Sequence, residues 1–112
     1  MEFYGNVSGW SVTSADGYST LDATDFQLVI VEVPADIAAT LTIGDPPARR
    51  VNSPIKLAIP VSSIADIRAA APGRGAMVDP VDSEWYFGST LVCDGHDPEG
   101  NVFQLRELPN GR

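Results

Sequence analysis

At 112 residues, 44% of them hydrophobic, the chain is long enough for one domain with a core and too short for two ordinary ones. Seven basic against fifteen acidic residues leave a net charge of -8, which opposes attraction to phosphate backbones and anionic lipids and so argues against a nucleic-acid or membrane partner. No apolar run approaches the roughly 20 residues that span a bilayer, a lone cysteine makes no intrachain disulfide, and the start carries no leader pattern, so a cytoplasmic location is expected.

In chain order, "EFYGNVSGW" reads as the end of a helix. Strand signals follow at 10–14, 18–23 and 26–33, separated by the turn-forming "ADG" and "TD". Prolines and paired arginines break the stretch 35–54, predicting a connecting linker with one helical turn at 35–39. Residues 55–61 read as a strand. "SSIADIRAAAPG" then combines a serine cap, an early Asp and a Pro-Gly stop, the pattern of a short helix. Three more strands are predicted at 75–80, 84–94 and 101–108. Between the last two, Asp97, Pro98, Glu99 and Gly100 fit a type I turn, with Gly100 taking the left-handed position.

The second half is thus strand, helix, strand, strand, strand, and the first half has the same three-strand ending. "FQL" recurs at 26–28 and 103–105. A duplication is expected, the second copy carrying a longer hairpin.

"FYGNVSGWSV", "IPVSSIADIRAAA" and "EWYFGSTLVCDGHDPEGNVFQL", in that order, resemble the glyoxalase/bleomycin-resistance/extradiol-dioxygenase superfamily, also called vicinal oxygen chelate proteins. The resemblance covers nearly the whole chain. It implies an α+β fold of paired βαβββ modules, whose curved mixed sheets enclose a cleft where many members hold a divalent metal and a small oxygen-bearing substrate. The chain then divides into an incomplete first module (1–34), the linker (35–54) and a complete second module (55–112).

In metal-using members a His on a module's first strand and a Glu on its last strand are ligands. In the second module these positions fall on Lys56 and Gln104. A protonated Lys offers no lone pair, and a neutral amide lacks the charge a divalent ion favours. In the first module the last-strand position falls on Gln27, with Glu32 further along on the other face. The first strand's place falls upstream of Met1, so 26–33 is expected to expose a hydrophobic edge that a second copy covers in a homodimer.

Strand alternation puts Lys56 on one face with Ala58 and Pro60, and Gln104 with Val102 and Arg106. Lys56, Gln104 and Arg106 are therefore expected to point into the cleft as donors to a carboxylate, carbonyl or phosphate oxygen. The competing reading is a solvated polar sheet face. Read as one strand, 84–94 puts Trp85 and Phe87 with Ser89, Leu91 and Cys93, as an apolar wall for a ligand or as core. Cys93 and His96 begin a zinc-like spacing, yet Asp94 and Asp97 do not complete a convincing ligand set, and Cys93 has no base within reach on an extended strand.

The expected function is binding of a small organic molecule in the cleft with neither metal nor cofactor, as bleomycin-resistance members do by sequestration. Lys56, Gln104, Arg106, Gln27 and Trp85 are the expected contacts, and no catalytic residue is assigned. The alternatives are a metal-dependent lyase, isomerase or dioxygenase with ligands from Glu32, His96 or a partner chain, and a non-catalytic assembly subunit.

Overall fold

A helix with one apolar side and three short antiparallel strands make the first part of the protein. The computed structural model describes residues 2–23, 27–40, 47–52, 55–107 and 109. Contacts divide the chain into two units, Met1–Thr42 and Ile43–Arg112.

In the first unit, helix α1 (Glu2–Ser8) buries Phe3 and Val7, four residues apart and hence on one side of the helix. Gly5 lets α1 approach the sheet, because a Cβ there would lie 2.8 Å from Val12 Cγ2. Strands β1 (Ser11–Ala15), β2 (Tyr18–Asp22) and β3 (Gln27–Val31) pair antiparallel in the order β1-β2-β3. Cross-strand neighbours Val12, Leu21 and Leu28 share one face, and Leu21 is fully buried. Strand β3 ends the sheet among the described residues, and Val29 and Val31 on it are 46% and 66% exposed. Phe26, the first residue of the repeated tripeptide, lies outside the described residues. A single helical turn, α2 (Ala35–Ala38), follows.

The second unit opens with β4 (Leu57–Val61), then helix α3 (Ile64–Ala70). Ser63 caps α3, its hydroxyl accepting from the Asp66 amide at 3.1 Å, and the Ile64 amide donates to Glu107 Oε1 at 2.7 Å. The predicted Pro-Gly stop is a tightening rather than a break: the chain runs on as a 3-10 turn (Ala71–Arg74) and ends at left-handed Gly75. Pro72 fits because the start of a helical turn needs no amide donor there.

Strands β5 (Met77–Val78), β6 (Trp85–Phe87), β7 (Thr90–His96) and β8 (Val102–Glu107) complete a five-stranded sheet. Its order is β4-β8-β7-β5, with β4 parallel to β8 and β8 antiparallel to β7. Both β5 and β6 pair with the same strand, β7: Val78 sits opposite Gly95, and Trp85 opposite Val92. They are two halves of one interrupted strand, separated by a 3-10 turn at Val81–Ser83. The expectation of one strand over 84–94 is therefore corrected: Trp85–Phe87 belongs to the strand before, and the chain reverses at Gly88 and Ser89. Pro60 is tolerated because β4 is an edge strand, where a missing amide costs no ladder bond.

Ile59, Val61, Ile64, Val78, Cys93, Phe103 and Leu105 form the buried core of this unit. Gly95 makes room for it, since a Cβ there would stand 2.7 Å from the Phe103 ring and 2.5 Å from the Met77 carbonyl. The architecture is the expected α+β arrangement of βαβββ modules, the first showing one helix followed by three paired strands and a further helical turn among the described residues. In the second unit β8 has β4 as a parallel neighbour, and β3 has no such neighbour among the described residues.

Candidate functional site

Cross-strand register sets which side chains share the face of the second sheet opposite its core. Gln104 lies between Ala58 and Asp94, Arg106 between Pro60 and Val92, and Val92 opposite Trp85. Paired residues project to the same side of a sheet. Asp94, Gln104, Arg106, Trp85 and Phe87 therefore share one face, joined by His96 opposite Val102. Cys93, opposite Leu105, faces the core instead.

On this face the polar groups form a continuous chain. Lys56 Nζ donates to Asp94 Oδ2 at 2.9 Å, Gln104 Nε2 makes a long contact of 3.5 Å to Asp94 Oδ1, and Arg106 Nε donates to Gln104 Oε1 at 2.8 Å. The amide of Gln104 is thereby oriented, nitrogen toward the carboxylate and oxygen toward the guanidinium. The Arg106 guanidinium lies 5.6 Å from the centroid of the Phe87 ring, within cation-π range. Its Nε is occupied, which leaves the terminal amino groups as a planar fork for an oxygen pair. Two cations and one carboxylate give the face a net positive charge in a chain carrying -8.

Behind the face, a second set of polar groups is structural. The Arg68 guanidinium pairs with Glu84, gives Nε to the Asp79 carbonyl at 2.8 Å, and reaches Cys93 Sγ at 3.6 Å. Arg49 holds both Asp79 carboxylate oxygens, at 2.5 and 3.0 Å. Burial pushes the Cys93 thiol above its ordinary pKa, with Arg68 pulling partly the other way. A buried, protonated thiol is a poor nucleophile and metal ligand. Asp97, 5% exposed, spends its carboxylate on its own turn: Oδ1 accepts the amides of Glu99 and Asn101 at 2.9 and 2.8 Å, and Oδ2 the Asn101 side chain at 3.0 Å. The Gly100 amide closes that turn on the Asp97 carbonyl at 2.9 Å, with Gly100 at φ 87°.

The divalent metal implied by the resemblance does not fit these groups. Where two ligands are expected stand an ammonium and an amide, and the ammonium already sits against Asp94, the carboxylate nearest to serving as a ligand. Among the described residues no three His, Cys, Asp or Glu side chains gather in a way that can hold a metal ion. His96, on the same face, keeps Nδ1 buried without a hydrogen-bond partner.

Of the sequence-predicted contacts, Lys56, Gln104 and Arg106 are joined in one network, and Trp85 stands on the same face at 41% exposed. Gln27 lies in the first unit, where its amide donates to Asp22 Oδ1 at 2.6 Å. The grouping of Trp85 and Phe87 with Leu91 and Cys93 is overturned, because the reversal at Gly88 and Ser89 flips the alternation. Asp94 and Phe87, the partners that organise Lys56, Gln104 and Arg106, were not singled out as contacts. The Gly-Ser dipeptide between apolar runs was the available signal.

No protein-family model and no curated protein sequence matches the chain. Solved structures do. A glyoxalase/bleomycin resistance protein/dioxygenase family enzyme from Burkholderia phytofirmans superimposes with a TM-score of 0.64 at 17% identity, over 96% of this chain and 86% of that one. A mutant of the fosfomycin resistance protein FosX from Listeria monocytogenes, complexed with Mn(II) and 1S,2S-dihydroxypropylphosphonic acid, gives 0.57 at 14% identity, over 96% and 79%. A bleomycin resistance determinant encoded on the transposon Tn5 gives 0.53 at 15% identity, over 96% and 85%. The chain therefore has the fold of the glyoxalase/bleomycin-resistance/dioxygenase proteins, the vicinal oxygen chelate superfamily, as its motifs implied.

Proposed function

We propose that the protein binds a small organic molecule through the molecule's oxygen atoms, on the open face of the second sheet and without a divalent metal. The observation that carries this reading is the chain Lys56, Asp94, Gln104 and Arg106, which gathers two cations and an amide on one sheet face, Lys56 and Gln104 being the positions where the resemblance implies metal ligands. Charge-assisted donors of this kind grip a carboxylate, phosphonate or polarised carbonyl. Trp85 and Phe87 supply an apolar wall for the rest of the molecule. Gln27, at the matching last-strand position of the first module, is a further proposed contact. The role is sequestration rather than chemistry, in the cytoplasm, and a second copy of the chain covers the free edge of β3 in a homodimer.

Thermal-shift screening of small organic acids and aromatic antibiotics, on the wild type and on Lys56→Ala, tests this reading. Stabilisation by a true ligand grows as RT ln(1 + [L]/Kd), and Lys56→Ala is expected to remove it. Hits unaffected by the substitution overturn Lys56 as the anchor. Stoichiometric Zn, Ni, Mn or Fe in the purified protein overturns the metal-free reading in favour of a metal-dependent lyase, isomerase or dioxygenase. Sedimentation at increasing concentration tests the homodimer, and a monomer at every concentration overturns it.

A further inference from the structure

Apart from the sheet face, Arg49, Arg50, Val51, Asn52 and Asn101 line an open depression of about 490 Å³. It arises because the segment 47–52 docks on the turn that leads into β8. Arg50 bridges Asn101 in parallel fashion, its amide donates to the Gly100 carbonyl at 2.7 Å, and its Nε donates to the Glu99 carbonyl at 3.0 Å. Gly100 permits the approach: a Cβ there would fall 1.9 Å from the Ala48 carbonyl oxygen. The turn itself is locked by Asp97, so the floor of the depression is a fixed scaffold.

Both arginines are anchored through donors on one side only. Arg49 commits its two terminal nitrogens to Asp79. Arg50 commits Nε to a backbone carbonyl, and no carboxylate stands in ion-pair range of it among the described residues. Its two terminal amino groups are a planar fork with no acceptor among the described residues, and the exposed residue Asn52 lines the same depression. Asn101 is held by Asp97 at 3.0 Å and closes the far side. Arg49 is neutralised by Asp79, and the Asp97 carboxylate lies behind Asn101, so the guanidinium of Arg50 is the cation that the depression offers to a ligand.

We propose that this depression binds the oxyanion group of a small molecule, a carboxylate or a phosphate, between the terminal amino groups of Arg50 and the amide of Asn52. The guanidinium fork matches the oxygen spacing of either group. Anchoring of Nε means that less side-chain freedom is lost on binding than for a free arginine. The depression exceeds the size of a bare oxyanion, leaving room for an organic remainder against Val51, which is 72% exposed. Neither Lys56 nor Arg106 lines it, so the site stands apart from the sheet-face reading.

The test is a titration of the full ¹⁵N-labelled chain with sodium phosphate and, separately, sodium acetate, at constant ionic strength balanced by chloride. Saturable amide shifts at 49–52 and 99–101 are expected. Saturation by phosphate alone names a phosphate group, by acetate alone a carboxylate, and by both an oxyanion of either kind. Arg50→Lys, which keeps the charge and loses the fork, is expected to weaken binding at least about fivefold. Asn52→Asp leaves the docking hydrogen bonds intact and is expected to abolish saturation, which keeps the proposal testable if the arginine variant unfolds. Linear shifts with either anion, equal saturation in Asn52→Asp, or saturation confined to the surroundings of Lys56 and Arg106 would each overturn it.

Discussion

Lys56 Nζ stands 2.9 Å from Asp94 Oδ2, the lysine side chain 43% and the aspartate side chain 18% exposed. An oxyanion arriving at Lys56 therefore competes with a carboxylate that the protein already supplies. Asp94→Asn keeps the shape and removes the competing charge, so it is expected to tighten binding of an organic acid on this face by about tenfold, the effect of roughly 1.4 kcal/mol. A half-exposed pair of this kind contributes under about 1 kcal/mol to folding, so the unfolding midpoint in urea should barely move. Calorimetric titration of a thermal-shift hit checks the first expectation. Weaker binding by the Asn variant would mean that Asp94 accepts a hydrogen bond from the ligand instead of competing with it.

Glu84 holds the Arg68 guanidinium where Arg68 also supports the Asp79 carbonyl and Cys93. Both side chains are largely buried, at 20% and 15% exposed. Removing one partner of such a pair leaves an uncompensated charge, which costs more than the intact pair contributes. Glu84→Ala is expected to lower stability by about 2–3 kcal/mol, read from urea unfolding at unchanged slope. Replacing both residues, Glu84→Leu with Arg68→Met, should recover part of that loss, because no charge is then stranded.

Much of the fold was legible because strand alternation and turn chemistry are local. Period-two reading grouped Lys56, Gln104 and Arg106, which hydrogen bonds join, and the Asp97–Gly100 turn followed from four consecutive residues. The helix and three strands of the first unit were likewise readable from the order of elements. The face of Asp94 was lost through one local error: a two-residue reversal at Gly88 and Ser89 flips the alternation for everything after it. The separation of β6 from β7 escaped because β6 is only three residues long, too short for a period to register. The pairings Arg49 with Asp79 and Arg68 with Glu84 were out of reach for a different reason. Nothing in a one-dimensional pattern says which of fifteen acids a given arginine meets.

Gly100 joins two demands at one position: φ 87°, and a carbonyl oxygen 1.9 Å from where a Cβ would be. Either alone disfavours a side chain, and the backbone of Ala48 cannot yield without loss of the Arg50 hydrogen bonds. Gly100→Ala is expected to cost at least about 2 kcal/mol and to disturb the amide signals of 48–51 more than those of β4. Gly88 also has positive φ, 64°, but open space around it. Gly88→Asn is therefore expected to cost under about 1 kcal/mol, since Asn tolerates the left-handed region. Equal losses in the two variants would show that the close approach of Ala48 contributes nothing.

Cys93 offers a pH test of the core. Burial holds its thiol in the neutral form, with its pKa above the ordinary value despite the opposing pull of Arg68. In the unfolded chain the thiol ionises near its free value of about 8.5. The unfolded state thus loses its proton first as pH rises, and protons lost by the unfolded state favour unfolding. The stabilisation linked to this group is fully present below the unfolded pKa and declines as pH climbs from there through the folded pKa. Stability of the wild type should accordingly fall above about pH 8.5, and the Cys93→Ala variant, less stable at neutral pH because of the cavity it leaves, should lack that part of the alkaline decline. Urea unfolding of both proteins between pH 7 and 10 checks this. Parallel pH profiles in that range would assign the alkaline loss to other groups and show that the thiol ionises as readily in the folded protein as in the unfolded chain.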